Sequence, residues 1–343
     1  MYGVKRLDAR KQHYGWYEGQ EVFEYVLTND QQAVFRCINY GAVVTGIEVP
    51  DQWGKKENVV LGFKQLEDYV KDSPYFGAFV GRVAGRIADG TWSTYQLTQN
   101  NRKHHMHGGE HNFSQLVWDS QIVQEDNRIG VAFSLLSPDG DNGYPGNLRV
   151  TVTYYWTNDN IWEMLVTAET DQTTLFNPTN HTYFNLSGNT KRKILDHTLQ
   201  MDAESYAETD KTKIPTGRLL PVAETVFDFR ESKRLADAIN ERHEGFDTPF
   251  KLSGAKTIRL CEPESGRSLK IETNREAVVV FSTTGMDEDY LVDGEKMSSH
   301  RGIALETQEF PDAVHHPEFR SIILEPGRMH RSFTKYTFTT PTV

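Results

Sequence analysis

The sequence predicts an all-β fold, a large antiparallel β-sandwich with very little helix. Three observations carry this expectation. The dominant hydrophobic period is two, turn dipeptides recur between the periodic runs, and helical periodicity is scarce. Leu148, Val150, Val152 and Tyr154 alternate with Arg149, Thr151 and Thr153. Trp162, Met164, Val166 and Ala168 alternate with Glu163, Leu165, Thr167 and Glu169. A strand patterned this way buries one face and solvates the other.

Shorter runs of the same kind recur at residues 21–27, 33–39, 131–136, 268–273, 277–282, 302–306, 321–324 and 333–339. Between them stand Asp139-Gly140, Asn142-Gly143, Pro145-Gly146, Asp293-Gly294 and Pro326-Gly327, which are turn chemistry. Only residues 63–70 and 231–243 carry a helical pattern. No linker, fixed-period repeat or low-complexity tract interrupts the chain. One β domain over residues 1–343 is therefore expected, although a prior of roughly 150 residues per domain suggests two.

Composition narrows the function. There are 37 Lys and Arg against 48 Asp and Glu, a net charge of −11, which disfavours nucleic acid because that partner needs a basic face. No apolar run reaches the roughly 18 residues of a membrane span. The first residues lack an apolar signal core. Cys37 and Cys261 are too few for a disulfide framework, so a cytoplasmic location is expected.

Residues 176–187 read Phe-Asn-Pro-Thr-Asn-His-Thr-Tyr-Phe-Asn-Leu-Ser. Two readings fit. One is a wall for a polar, ring-shaped ligand, which needs flat apolar faces and convergent hydrogen-bond groups. The other is a half-buried strand whose polar side chains pair with neighbouring loops. His181 lies at its centre, and histidine is the side chain most used to move protons near neutral pH.

Four further stretches carry chemistry. Arg82 and Arg86 flank small residues in 81–87; one could reach a ligand while the other pairs, or both could be surface arginines. His104, His105, His107 and His111 fall within eight residues. That density raises a metal site, but no cysteine or carboxylate pair accompanies it. A hydrogen-bonding His107, ahead of a tightly bending Gly108-Gly109, is the better reading, and no metal is expected. Asp247 precedes Thr-Pro and is either a turn-former or an acceptor for sugar hydroxyls. Glu306 ends an apolar run and is either an exposed strand-end residue or partly desolvated there, which would raise its pKa and suit it to act as a base.

Taken together, these stretches resemble the aldose 1-epimerases, or galactose mutarotases. The likeness rests on residues 81–87, His107-Gly-Gly, Asp139-Gly-x-x-Gly-Tyr-Pro-Gly, Asn177-Pro-Thr-Asn-His-Thr-Tyr-Phe-Asn-Leu, residues 245–250, Glu306-Thr-Gln-x-Phe-Pro-Asp-Ala and Pro326-Gly327. It spans nearly the whole chain from about residue 20. The resemblance implies a galactose mutarotase-like supersandwich, without cofactor, that interconverts the α and β anomers of free sugars such as D-galactose and D-glucose. By position it makes His181 the catalytic acid and Glu306 the catalytic base. It gives Arg82, His107 and Asp247 to substrate binding, with a monosaccharide as partner and a monomer or homodimer as the assembly. Two departures bear on the pocket: many members have Asn where this chain has Gly85, and Gln near Val280. Competing readings are a non-catalytic sugar-binding sandwich, an epimerase for maltose or another sugar, a glycoside hydrolase built on Asp247 and Glu306, and a His-rich metal hydrolase.

Overall fold

The computed structural model describes residues 7–242 and 245–341. Three antiparallel sheets carry most of its strands. The largest has nine strands, in spatial order Asp119–Glu125, Arg128–Ser137, Leu148–Thr157, Ile161–Thr170, His330–Thr339, Ser268–Thr273, Thr257–Cys261, Thr198–Met201 and Lys233–Arg234. Its first four strands form a meander, joined by short turns except for the longer connection between Arg128–Ser137 and Leu148–Thr157. The strand nearest the C-terminus, His330–Thr339, then inserts beside Ile161–Thr170 and pairs on its other edge with Ser268–Thr273.

A six-stranded sheet runs Tyr183–Phe184, Ile303–Gln308, Ala277–Phe281, Asp247–Leu252, Ala203–Thr209 and Pro215–Pro221. A five-stranded sheet takes Asp8–Tyr17, Gln20–Thr28, Val34–Ile38, Val44–Pro50 and Lys56–Asn58 in simple chain order.

The period-two pattern explains how these sheets meet. Leu148, Val150, Val152 and Tyr154 all turn inward, and so do Trp162, Met164, Val166 and Ala168. Register places Tyr154 opposite Met164 and Val152 opposite Val166, so the two apolar faces coincide. One core cluster joins Tyr25 and Phe35 of the five-stranded sheet, Tyr154, Trp162 and Tyr336 of the nine-stranded sheet, and Phe250, Val280 and Leu305 of the six-stranded sheet. At its centre Trp162 stacks on Tyr336 at 4.1 Å and 12°, and meets Tyr154 edge-on at 5.5 Å. Aromatic pairs of this geometry add to the gain from burying their area.

Helix is confined to two short segments, Leu66–Asp72 and Leu235–Arg242. Both begin three or four residues later than the sequence pattern suggests. In the second case Lys233–Arg234 is taken instead as an edge strand against Thr198–Leu199. His243 lies outside the described residues. No described helix is long and apolar enough to cross a membrane.

Candidate active site

The six-stranded sheet has its core face on one side and a cavity on the other. Pairing sets Val279 opposite Glu306, Pro249 opposite Val279, and Phe281 opposite Asp247. Strand alternation then sends Glu306, Gln308, Val279, Phe281, Asp247 and Pro249 to the same face. All six line one cavity of about 730 Å³. Leu305 and Val280, one residue out of phase, face the core.

Loops complete the wall. Tyr75, Gly85, Arg86, Met106, His107, His181 and Tyr183 line the same cavity. The backbone of His181 is pinned to residues 77–78: its N–H donates to Ala78 O at 2.8 Å, and its carbonyl accepts from Gly77 N–H at 3.2 Å. This brings His181 Nε2 to 3.4 Å from Glu306 Oε1, although 125 positions separate the two in the chain. His107 stands edge-on to His181 at 5.5 Å. Gly85 N–H donates to His107 Nδ1 at 3.3 Å. That nitrogen is therefore an acceptor, and Nε2 carries the proton of the neutral ring.

Burial dominates the electrostatics. Glu306 is 3% exposed with Val279 across from it, and desolvation, aided by the nearby Asp247 carboxylate and opposed by Arg86, pushes its pKa up to about 8. Desolvation pulls His181 down to about 4 and His107 well below the usual imidazole range. Both members of the 3.4 Å pair therefore favour their neutral forms. A protonated Glu306 with a neutral His181 holds one proton, and so does the ion pair. The two forms differ only by a transfer along one short contact.

Four of the five residues expected at the site meet here: His181, Glu306, His107 and Asp247 all line the cavity. Arg82 does not. It is 1% exposed, and its guanidinium makes six hydrogen bonds, to Ser137 Oγ and O, Pro138 O, Pro145 O, Gly146 O and Thr174 Oγ1. It fastens the turn at residues 137–146, so two of the recognised motifs are two halves of one clamp. Arg86 is the arginine that reaches the cavity. Of the two, one does reach the cavity while the other is spent on pairing, because no single strand spans them: Phe79–Val80 ends before Arg82, and Gly85 turns the chain at φ 73°.

Removing the Arg82 guanidinium orphans several buried carbonyls. Arg82→Met is expected to lower the unfolding free energy by about 3–5 kcal/mol in urea titration. Arg86→Met is expected to cost about 1 kcal/mol or less but to lower kcat/KM.

Other expectations divide by position. Gly85 does line the cavity, and a Cβ there would come within 2.8 Å of Pro311. Val280 does not, since its side chain is in the core. In residues 176–187 both readings hold, for different side chains. Asn177, Asn180 and Asn185 are buried and donate to backbone carbonyls of Glu309, Gly77, and Arg192 with Arg301. Only His181 and Tyr183 from this stretch face the cavity. Gly108 serves packing rather than ligand approach, for a Cβ there would lie 1.8 Å from Gly81 O. His105 is spent on Tyr144 Oη at 2.6 Å and Thr98 O at 2.8 Å. Among the described residues no three His, Cys, Asp or Glu side chains gather as a metal would require.

Tyr75 and Gln308 are site residues that sequence reasoning passed over. Gln308 lies two positions after Glu306, and that spacing was the available signal. Its Nε2 donates to Glu309 O at 3.1 Å while Oε1 is buried without a partner. Nothing local marked Tyr75.

The aldose 1-epimerase family model matches residues 24–337. A galactose mutarotase of Rattus norvegicus is 39% identical over 332 residues, covering 93% of this chain and 95% of that protein. A maltose epimerase of Levilactobacillus brevis is 29% identical over 344 residues, covering 97% and 99%. The crystal structure of a galactose 1-epimerase from Lactobacillus acidophilus superposes with a TM-score of 0.87 at 31% identity, covering 98% of this chain and 100% of that one. With the fold, the cavity and these likenesses in agreement, the chain belongs to the aldose 1-epimerase family, whose members are isomerases.

Proposed function

We propose that the protein interconverts the α and β anomers of free aldohexoses, D-galactose and D-glucose foremost, with Glu306 as base and His181 as acid. The reaction opens the ring. A proton leaves the C1 hydroxyl, one reaches the ring oxygen, the C1–C2 bond turns, and the steps reverse on the other face. Both oxygens are bonded to the same carbon, so the acid and base must converge rather than stand apart. The 3.4 Å contact between His181 and Glu306 is the observation that carries this reading.

A bound sugar supplies hydroxyl donors to the carboxylate, which favours its ionised form and leaves the pair's single proton on His181. Glu306 then takes the C1 proton as His181 gives its own to the ring oxygen, and the roles exchange on closure. The neutral His107 offers Nε2–H to a ring or hydroxyl oxygen. Asp247 accepts from hydroxyls, and Arg86 takes the binding role first expected of Arg82. The whole chain, residues 1–343, is taken as one catalytic domain. A net charge of −11 disfavours a nucleic-acid partner, and only two cysteines favour a cytoplasmic location.

The test is polarimetry on freshly dissolved α-D-galactose. Acceleration toward the equilibrium rotation is expected; a rate no faster than buffer overturns the reading. Running maltose alongside separates the disaccharide alternative, which the 730 Å³ cavity leaves room for.

The proton count also sets the pH dependence. The pair holds one proton between the His181 value of about 4 and the Glu306 value of about 8. Below that window a second proton arrives and no base remains; above it the last proton leaves and no acid remains. A bell-shaped kcat/KM profile with limbs near these values is expected from initial rates across pH.

A further inference from the structure

We propose that Tyr75 and Tyr183 are positioning residues that clamp the His181 imidazole between their rings and hold its Nε2 on Glu306. The inference rests on the acid role of His181 given above.

A catalytic imidazole is normally oriented by a hydrogen bond at its other nitrogen. Here that nitrogen, His181 Nδ1, is buried with no partner outside its own residue. A ring not held at that nitrogen by a neighbouring group can rotate about χ2, a soft torsion, and carry Nε2 away from its partner. Something else must fix the plane. Tyr75 lies nearly parallel to the imidazole, 22° at 5.7 Å, and Tyr183 lies 31° from it at 4.9 Å. His107 packs edge-on at 5.5 Å and touches Tyr75 at 4.7 Å.

The clamp closes on itself. Tyr183 Oη donates to Pro74 O at 2.9 Å, so one jaw fixes the residue that precedes the other. Tyr75 has φ 65°, a conformation costly for a bulky side chain. Its carbonyl accepts from Ala78 N–H at 3.0 Å, and the Ala78 carbonyl in turn accepts from His181 N–H. The strained tyrosine and the histidine thus share a tether as well as a ring contact. Tyr183 pairs opposite Ala304, two residues before Glu306, which ties the second jaw to the base-bearing strand.

The titratable and charged groups around His181 are Glu306 on its strand, Asp247 on the strand beyond, and His107 and Arg86 from the loops. None of these charged groups is removed when Tyr75 is changed, so an altered pH profile reports the clamp.

The experiment compares Tyr75→Ala, Tyr75→Leu and Tyr75→Phe with the native enzyme by polarimetry on D-galactose. A loosened acid is expected to lower kcat roughly 10²-fold in the Ala and Leu variants, with KM changed less than about threefold. Water entering beside the ring should also move the acidic limb of the profile upward, toward the ordinary imidazole value. Tyr75→Phe keeps the ring and should retain native kcat and limb. Circular dichroism verifies folding, and Leu serves if Ala does not fold. Native kcat and an unmoved acidic limb in the Ala or Leu variant overturn the clamp, as does a Phe variant as impaired as Leu. Absence of catalysis by the native protein would instead remove the acid role itself.

Discussion

Glu306→Gln is expected to lower kcat for D-galactose anomerisation by about 10²–10⁴-fold and at the same time to stabilise the fold. The two effects have one cause. The carboxyl is buried opposite Val279, near Asp247, and folding raises its pKa from 4.5 to about 8. An acid raised in this way binds its proton more tightly in the folded than in the unfolded chain. Stability therefore falls as pH climbs from 4.5 toward 8 and is level beyond. At pH 7 the penalty is on the order of 3 kcal/mol. A neutral amide of the same shape avoids it, so the variant should melt higher, by a margin that grows between pH 4.5 and 8. Loss of activity with a gain in Tm separates a sacrificed base from a broken fold. Undiminished turnover by polarimetry would show that another group removes the proton.

His181→Asn is expected to lower kcat by a similar factor, because an amide cannot deliver a proton to the ring oxygen. Folding holds the imidazole neutral, pulled down from 6.5 to about 4 by burial. The folded state thus binds this proton less readily than the unfolded one and loses stability as pH falls from 6.5 to 4. Asn removes that acid-side slope, while the gap left among Tyr75, Tyr183 and His107 lowers stability overall. The acid and base act as one unit on one carbon. Combining the two substitutions should therefore cost little more than the worse single change. Multiplied losses in kcat would mean that the two groups work independently.

The sandwich could be read from residues because alternation is a local property. Leu148–Thr157 and Ile161–Thr170 each bury every second side chain, and each is found where the pattern put it. Asp8–Tyr17 and Asp119–Glu125 left no such trace. They are outer strands with mostly exposed or half-buried side chains, and an edge strand need not alternate. The acid and base were visible through chemistry: a histidine amid aromatics, and a carboxylate closing an apolar run. Arg82 was misassigned because function and fastening can use the same residue type, and the difference lies in six acceptors from distant turns. Val280 faces the core while Val279 and Phe281 face the cavity, because on a strand one residue changes the face. The tyrosine clamp depends on a loop geometry that no periodicity encodes.

The most direct measurement is a crystal structure of the Glu306→Gln variant with D-galactose bound, since the sugar should then be held without turning over. The central claim is that both groups converge on the two oxygens of one hexose carbon. It predicts the ring oxygen within hydrogen-bond distance of His181 Nε2 and the C1 hydroxyl against the side chain at position 306. A sugar seated with C1 toward the solvent mouth, beyond reach of both, would contradict it.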